Sequence, residues 1–248
     1  MSLRPPLYAV PMLLLVCACG SGEPPRPPAD PAAAIVEVDR GGGLAAAVER
    51  WTLPNLTLFG DGTAVLRGET RGGLLSGVRR TIPAGRITEL YRLADRAGLF
   101  TGRTHDRDII DGEVLTVRIA DETGIRETTV VGPSDDEDSG RGGVVAFADA
   151  ALGSGSDAGE YLPERYAVLV TAGSDARGDV RPWPLAAPLS QLAGAPSKPC
   201  QVVERGEAEP LLTALRDAGP DTRWEADGHR VVLVARPLLP GEQTCADL

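Results

Sequence analysis

Apolar and polar positions alternate in some stretches of the chain and recur every three or four residues in others. The run Ala34–Val38 predicts a strand, broken by Gly41-Gly42-Gly43. In LPNLTLFGDGTAVLRG two β-prone runs flank Gly60-Asp61-Gly62, and Asp-Gly between such runs predicts a hairpin. Arg86–Ala97 carries Ile87, Leu90, Tyr91 and Ala94 at helical spacing on one face. Gly98 suits the position just past that helix, with Leu99 folding back on the last turn. Strands at Val114–Ala120 and Ile125–Val131 follow, joined by a turn at Asp121–Gly124, and then a short Ala-rich helix, Val144–Leu152.

The second half repeats the order. Strands are expected at Arg165–Thr171 and Cys200–Val203, followed by an amphipathic helix, Glu207–Ala218, with Leu211, Leu212 and Leu215 inward. Gly219 ends it, and Thr222–Glu225 with His229–Arg236 predicts a hairpin across Asp227-Gly228. Antiparallel hairpins with two amphipathic helices, and no βαβ alternation, define an α+β class. Both halves read as strands, helix, hairpin, which points to related halves packed together. The expected division is 34–155 and 156–248.

Before residue 34 the pattern changes. One basic residue, Arg4, precedes the apolar run from Leu7 to Ala18. A helix that short cannot cross a hydrocarbon core of about 30 Å, but it fits the apolar region of a secretory signal. Val16-Cys17-Ala18-Cys19-Gly20 resembles a bacterial lipobox, with small Ala18 before Cys19. Kinship with bacterial lipoproteins implies diacylglyceryl attachment at Cys19 and cleavage before it, so 1–18 is the signal peptide. Cys17 competes less well, because Val16 would occupy the position that takes Ala or Gly. Two acyl chains anchor a protein stably where one does not. The segment GSGEPPRPPADPAA, with five prolines, makes 19–33 a lipidated cysteine and Pro-rich tether. Fully extended, it would span about 40 Å at roughly 3.1 Å per residue.

Export removes Cys17 and acylation uses Cys19, leaving Cys200 and Cys245 of the four cysteines. An even pair in an oxidising compartment predicts one disulfide. The two histidines, His105 and His229, sit in no Cys/His spacing for a metal site.

Composition narrows the partners. The 248 residues hold 25 Lys+Arg against 35 Asp+Glu, for a formal charge of -10. An acidic chain lacks the clustered basic face that nucleic-acid binding needs. Arginine supplies all but one of the basic residues, the exception being Lys198. The blocks LPNLTLFGDGT, the helix ending Ala97-Gly98-Leu99-Phe100, the strand block after Asp111 and the terminal RPLLPGEQTC resemble actinobacterial secreted lipoproteins of unassigned activity. That resemblance implies an exported α+β domain and assigns no catalytic residue.

Candidate chemistry is sparse. The chain has no Gly-x-Ser-x-Gly nucleophile elbow and no phosphate loop ending in Gly-Lys-Ser/Thr. His105 lies among acids in Thr104-His105-Asp106-Arg107-Asp108, where a proton shuttle and a plain solvated loop are both readings. Ser134-Asp135-Asp136-Glu137-Asp138-Ser139 concentrates acids, but consecutive side chains diverge and suit calcium poorly. Arg177-Gly178-Asp179 spells an adhesion tripeptide too short to carry information. Trp183, between Pro182 and Pro184, offers either a ligand-stacking platform or a plug in the core.

The expected protein is a lipoprotein on the extracytoplasmic face of the cell membrane. It is expected to be a non-catalytic binding module with an envelope protein or glycan as partner, needing neither cofactor nor metal. The alternative is a cell-envelope hydrolase using two carboxylates. A transporter's solute-binding lipoprotein fits poorly, for want of alternating βαβ units.

Overall fold

The computed structural model describes residues 23–42, 51–106, 111–133, 139–172, 178–183, 188, 200–226 and 229–248. Its first sheet opens with β1 (Ala34–Gly42), β2 (Leu56–Phe59), β3 (Thr63–Arg67) and β4 (Gly77–Thr81). After α1 (Ala84–Arg96) come β5 (Thr104–His105), β6 (Glu113–Asp121), β7 (Gly124–Val131), α2 (Ser139–Leu152) and β8 (Ser156–Glu160). The strand order is β5-β7-β6-β1-β2-β3-β4-β8, antiparallel except for β5 with β7. Instead of breaking at the glycines, β1 runs through Gly41 and Gly42, which pair with Val114 and Glu113.

The second sheet holds β9 (Arg165–Ala172), β10 (Val180–Pro182), β11 (Cys200–Glu204), β12 (Arg223–Ala226) and β13 (His229–Pro237), with α3 (Arg205–Arg216) after β11. Its order is β10-β12-β13-β9-β11, with only β10–β12 parallel. The class is therefore α+β with mostly antiparallel sheets. By pairing, β8 belongs to the first sheet, beside β4, although the division at 155/156 put it in the second half.

Each sheet buries one face under helix. Ile87, Leu90, Tyr91 and Ala94 of α1, with Val144, Phe147, Ala148 and Ala151 of α2, pack on Val36, Val38, Leu56, Leu58, Leu115 and Val117. The Tyr91 hydroxyl finds its partner in this core, donating to the Ala120 carbonyl at 2.6 Å. Gly98 takes φ 72°, the left-handed conformation that ends a helix, and Leu99 is buried behind it. On the second sheet Ala208, Leu211, Leu212 and Leu215 of α3 cover Val168, Val203, Trp224, Val231 and Leu233.

The two remaining sheet faces meet each other. Two small apolar patches form there: Leu53, Phe59 and Val65 with Leu239, and Leu75 with Leu169 and Val234. Between them lies a buried ion pair. Arg236, 4% exposed, donates to both carboxylate oxygens of Glu242 at 2.6 and 2.9 Å, and Glu242 also accepts from the Leu239 N–H. The expected disulfide is present between Cys200 and Cys245, with Cα atoms 6.1 Å apart. Its 45-residue separation corresponds to about 4 kcal/mol in the chain-entropy account.

The sheets are also interlocked through the backbone. The β3–β4 loop leaves the first sheet as an arm and reaches β13. Leu75 N–H donates to the Ala235 carbonyl, Ala235 N–H to the Gly73 carbonyl, and Gly73 N–H to the Leu215 carbonyl. Leu74, 4% exposed, sits within the core under α3. Gly72 has φ 58°, and a Cβ there would run into the carbonyls of Leu215 and Ala218. We expect Gly72→Ala to cost about 2–3 kcal/mol and lower the Tm by about 4–12 °C. Gly85→Ala, in α1 with nothing within 4 Å of the new methyl, should be neutral or slightly stabilising. Thermal unfolding of the two variants checks this pair.

Candidate functional site

Where the arm departs, the first sheet leaves a cleft of about 620 Å³. Gly68 and Gly77 line it together with the exposed Glu69, Arg71 and Glu160. Arg67 forms one wall and is fixed in place. Its Nε donates to the Leu53 carbonyl at 2.5 Å, and a terminal nitrogen to Asp39 Oδ1 at 2.7 Å. Ser76 Oγ donates to the Glu69 carbonyl at 2.6 Å, so this hydroxyl bridges the base of the arm.

One of the sheet's two edge strands, β8, reaches the cleft through its last residue, Glu160. All five of its residues are exposed, and among the described residues it pairs with β4 alone. Just beyond it Leu162 is 55% exposed. An open edge of N–H and C=O groups is a template for a further extended chain. The arrangement offers main-chain hydrogen bonding, with charges of both signs and one apolar side chain at its margin.

The acids of the seam are differently placed. Glu37 on β1 and Glu127 on β7 flank Arg118 on β6 in one cross-strand row, with Arg118 at 2.5 Å from Glu37 and 2.8 Å from Glu127. Burial pushes the Glu37 carboxyl above the usual carboxylate range; Arg118 opposes this, while Asp39 and Glu242 reinforce it. Glu242 faces the same seam but is held by Arg236. Both carboxylates are thus engaged by arginines. Burial likewise raises the Tyr161 hydroxyl to about 12, and it donates to the Leu238 carbonyl at 2.8 Å.

The sequence-derived candidates are scattered. Cys19, the acidic run at 134–138, Arg177, Lys198 and the turn at 227–228 lie outside the described residues. His105 occupies β5, at the opposite edge of the eight-stranded sheet from β8. Its carbonyl is held by the buried guanidinium of Arg141, which also bonds the Val131 and Gly132 carbonyls. His229 opens β13 opposite Ala226. Trp183 packs half-buried against the α3 core, edge-on to Trp224 at 6.2 Å, and its backbone N–H donates to the Glu225 carbonyl. Cys200 and Cys245 are joined to each other.

Sequence reasoning overlooked the cleft, β8 and the charged seam. The seam had a signal, since Glu37 and Asp39 alternate with buried Val36 and Val38, giving β1 a second, charged face. Among the described residues no group of three or more His, Cys, Asp or Glu could hold a metal, and no helix is long and apolar enough to cross a membrane. No family model, curated protein or solved structure matches the chain.

Glu37 sets a pH dependence. The folded state holds its proton above the ordinary pKa of 4.5, so folded protein binds more protons than unfolded in that window, and stability falls as pH rises through it. The unfolding free energy of wild type minus that of Glu37→Gln should decline as pH rises from 4.5, then level off. Asp121 and Asp247, whose pKa values are lowered by hydrogen bonds from Thr123 and from the Gln243 and Thr244 backbone, cancel in this difference. Urea melts of both proteins across the range supply it, and a rising difference contradicts the assignment.

Proposed function

We propose that the chain is an extracytoplasmic lipoprotein, anchored by acylated Cys19, whose folded part is a non-catalytic binding module of the cell envelope. The observation that carries this reading is the exposed edge strand β8, whose last residue, Glu160, also lines the 620 Å³ cleft. Its partner is an extended segment of an envelope protein, adding a strand to β8 and placing side chains between Arg71 and Glu160. The disulfide supports export, because such bonds persist in oxidising compartments. Kinship with the actinobacterial lipoproteins is part of the same proposal.

The halves are proposed to be related packings, supported by a helix followed by an antiparallel hairpin in each: α1 before β6–β7, and α3 before β12–β13. Strand adjacency differs, since β1 pairs with the first strand of its hairpin and β9 with the second. The hydrolase alternative draws on the raised Glu37 facing Glu242. Arg118 and Arg236 engage those carboxylates, whereas glycoside hydrolysis needs an acid and a base free to meet substrate and water.

A photo-cross-linking residue in place of Ala158 on β8 should, in intact cells, yield one discrete adduct with an envelope protein. The same residue in place of Thr213, exposed on α3, should yield none. Loss of the adduct on Arg71→Glu would fix the cleft as part of the surface. No adduct at 158, or the same adduct from both positions, contradicts the proposal. Release of soluble fragments from wall polymer by the purified protein would favour the hydrolase.

A further inference from the structure

The Pro-rich segment is docked on the fold. Along Glu23–Pro28 the exposure pattern has a period of three: Pro24, Pro25, Pro27 and Pro28 are half-buried, while Glu23 and Arg26 point outward. That is the pattern of a polyproline II helix with one side against a surface. The surface is α1, where Ala84, Ile87, Thr88 and Tyr91 share a face with the segment around a groove of about 280 Å³.

The segment is pinned where it joins the sheet. Gly60 N–H donates to the Ala33 carbonyl and Asp61 N–H to the Pro31 carbonyl, at 3.0 and 2.9 Å. Asp30 closes a turn by accepting from the Ala32 N–H at 2.9 Å. The fit is close at Gly60, where a Cβ would lie 2.7 Å from the Asp30 carbonyl oxygen. Proline suits such a strap, since its fixed φ leaves less conformational entropy to lose on docking.

We propose that residues 23–33 are a strap, and that it holds the α1 side of the protein against the surface of the bilayer. The inference rests on Cys19 being the acylated residue. From Cys19 to Glu23 four peptide links remain, a reach of about 14 Å at most. A free 19–33 tether would allow about 40 Å. The strap therefore fixes which side of the molecule meets the lipid. The helix-covered side of the first sheet lies at the membrane, and α3 on the second sheet points away.

The test uses the full mature lipoprotein in phosphatidylcholine/phosphatidylglycerol vesicles. Spin labels at Glu23→Cys and Asp95→Cys should give a narrow distance distribution, broadened when Pro24, Pro25, Pro27 and Pro28 are all replaced by Gly or Ser. A fluorophore at Asp95→Cys should be quenched by nitroxide lipid headgroups several-fold more than one at Asp217→Cys, at the end of α3, and the proline replacements should abolish that difference. A broad distribution in the parent chain, or equal quenching at both positions, overturns the strap. Intact mass separates the two failures: absence of the diacylglyceryl group refutes the anchor reading, while the label distance still reports whether the strap is docked.

Discussion

The second sheet is completed by the first, and this constraint governs the rest of the architecture. β12 pairs with β13 only from His229 to Val232, so beyond that point no other strand among the described residues covers that edge of β13. Backbone polar groups buried without partners are costly. The arm from the first sheet supplies the missing partner: Leu74 bridges Ala235 in parallel, flanked by the hydrogen bonds of Gly73 and Leu75. Leu74 then joins the buried cluster that includes Leu215 and Leu233. The arm thus ties the second sheet to the first, and its glycines suit backbone that passes within contact distance of α3 and β13.

Charge and apolar contact divide the work at the seam. Two patches of a few residues each could not by themselves fix how the sheets lie, since apolar contact has little direction. The bidentate, nearly buried Arg236–Glu242 pair joins β13 to the segment just after it, so it fixes that segment within the second half. Such a pair contributes less net stability than its geometry suggests, but removing one partner strands a charge and costs about 3–5 kcal/mol. The disulfide fastens the C-terminal segment that carries Glu242 to edge strand β11.

Local signals were legible in the sequence, and long-range ones were not. The inward face of α1, the Gly60–Gly62 turn and the β6–β7 hairpin follow from spacing and turn chemistry within about ten residues. The disulfide followed from cysteine arithmetic. β8 has no apolar alternation, because both its faces meet water, and so it gave no strand signal. The arm reads as an ordinary Gly-rich loop, since its pairing partner lies some 160 positions further along. Composition reads the Pro-rich segment as a tether, but prolines that cannot build a core can still line one side of a groove. Of the candidate site, the sequence held Glu37 and Asp39 on β1 but nothing to show what they would face. The cleft forms only when the arm and β8 are brought together.

Differential scanning calorimetry of the mature chain tests the interlocked architecture most directly. If the arm makes the two sheets one cooperative unit, unfolding is a single transition whose calorimetric and van't Hoff enthalpies agree. Two resolved transitions, or a calorimetric enthalpy well above the van't Hoff value, would show that the second sheet folds without the arm and would contradict the account.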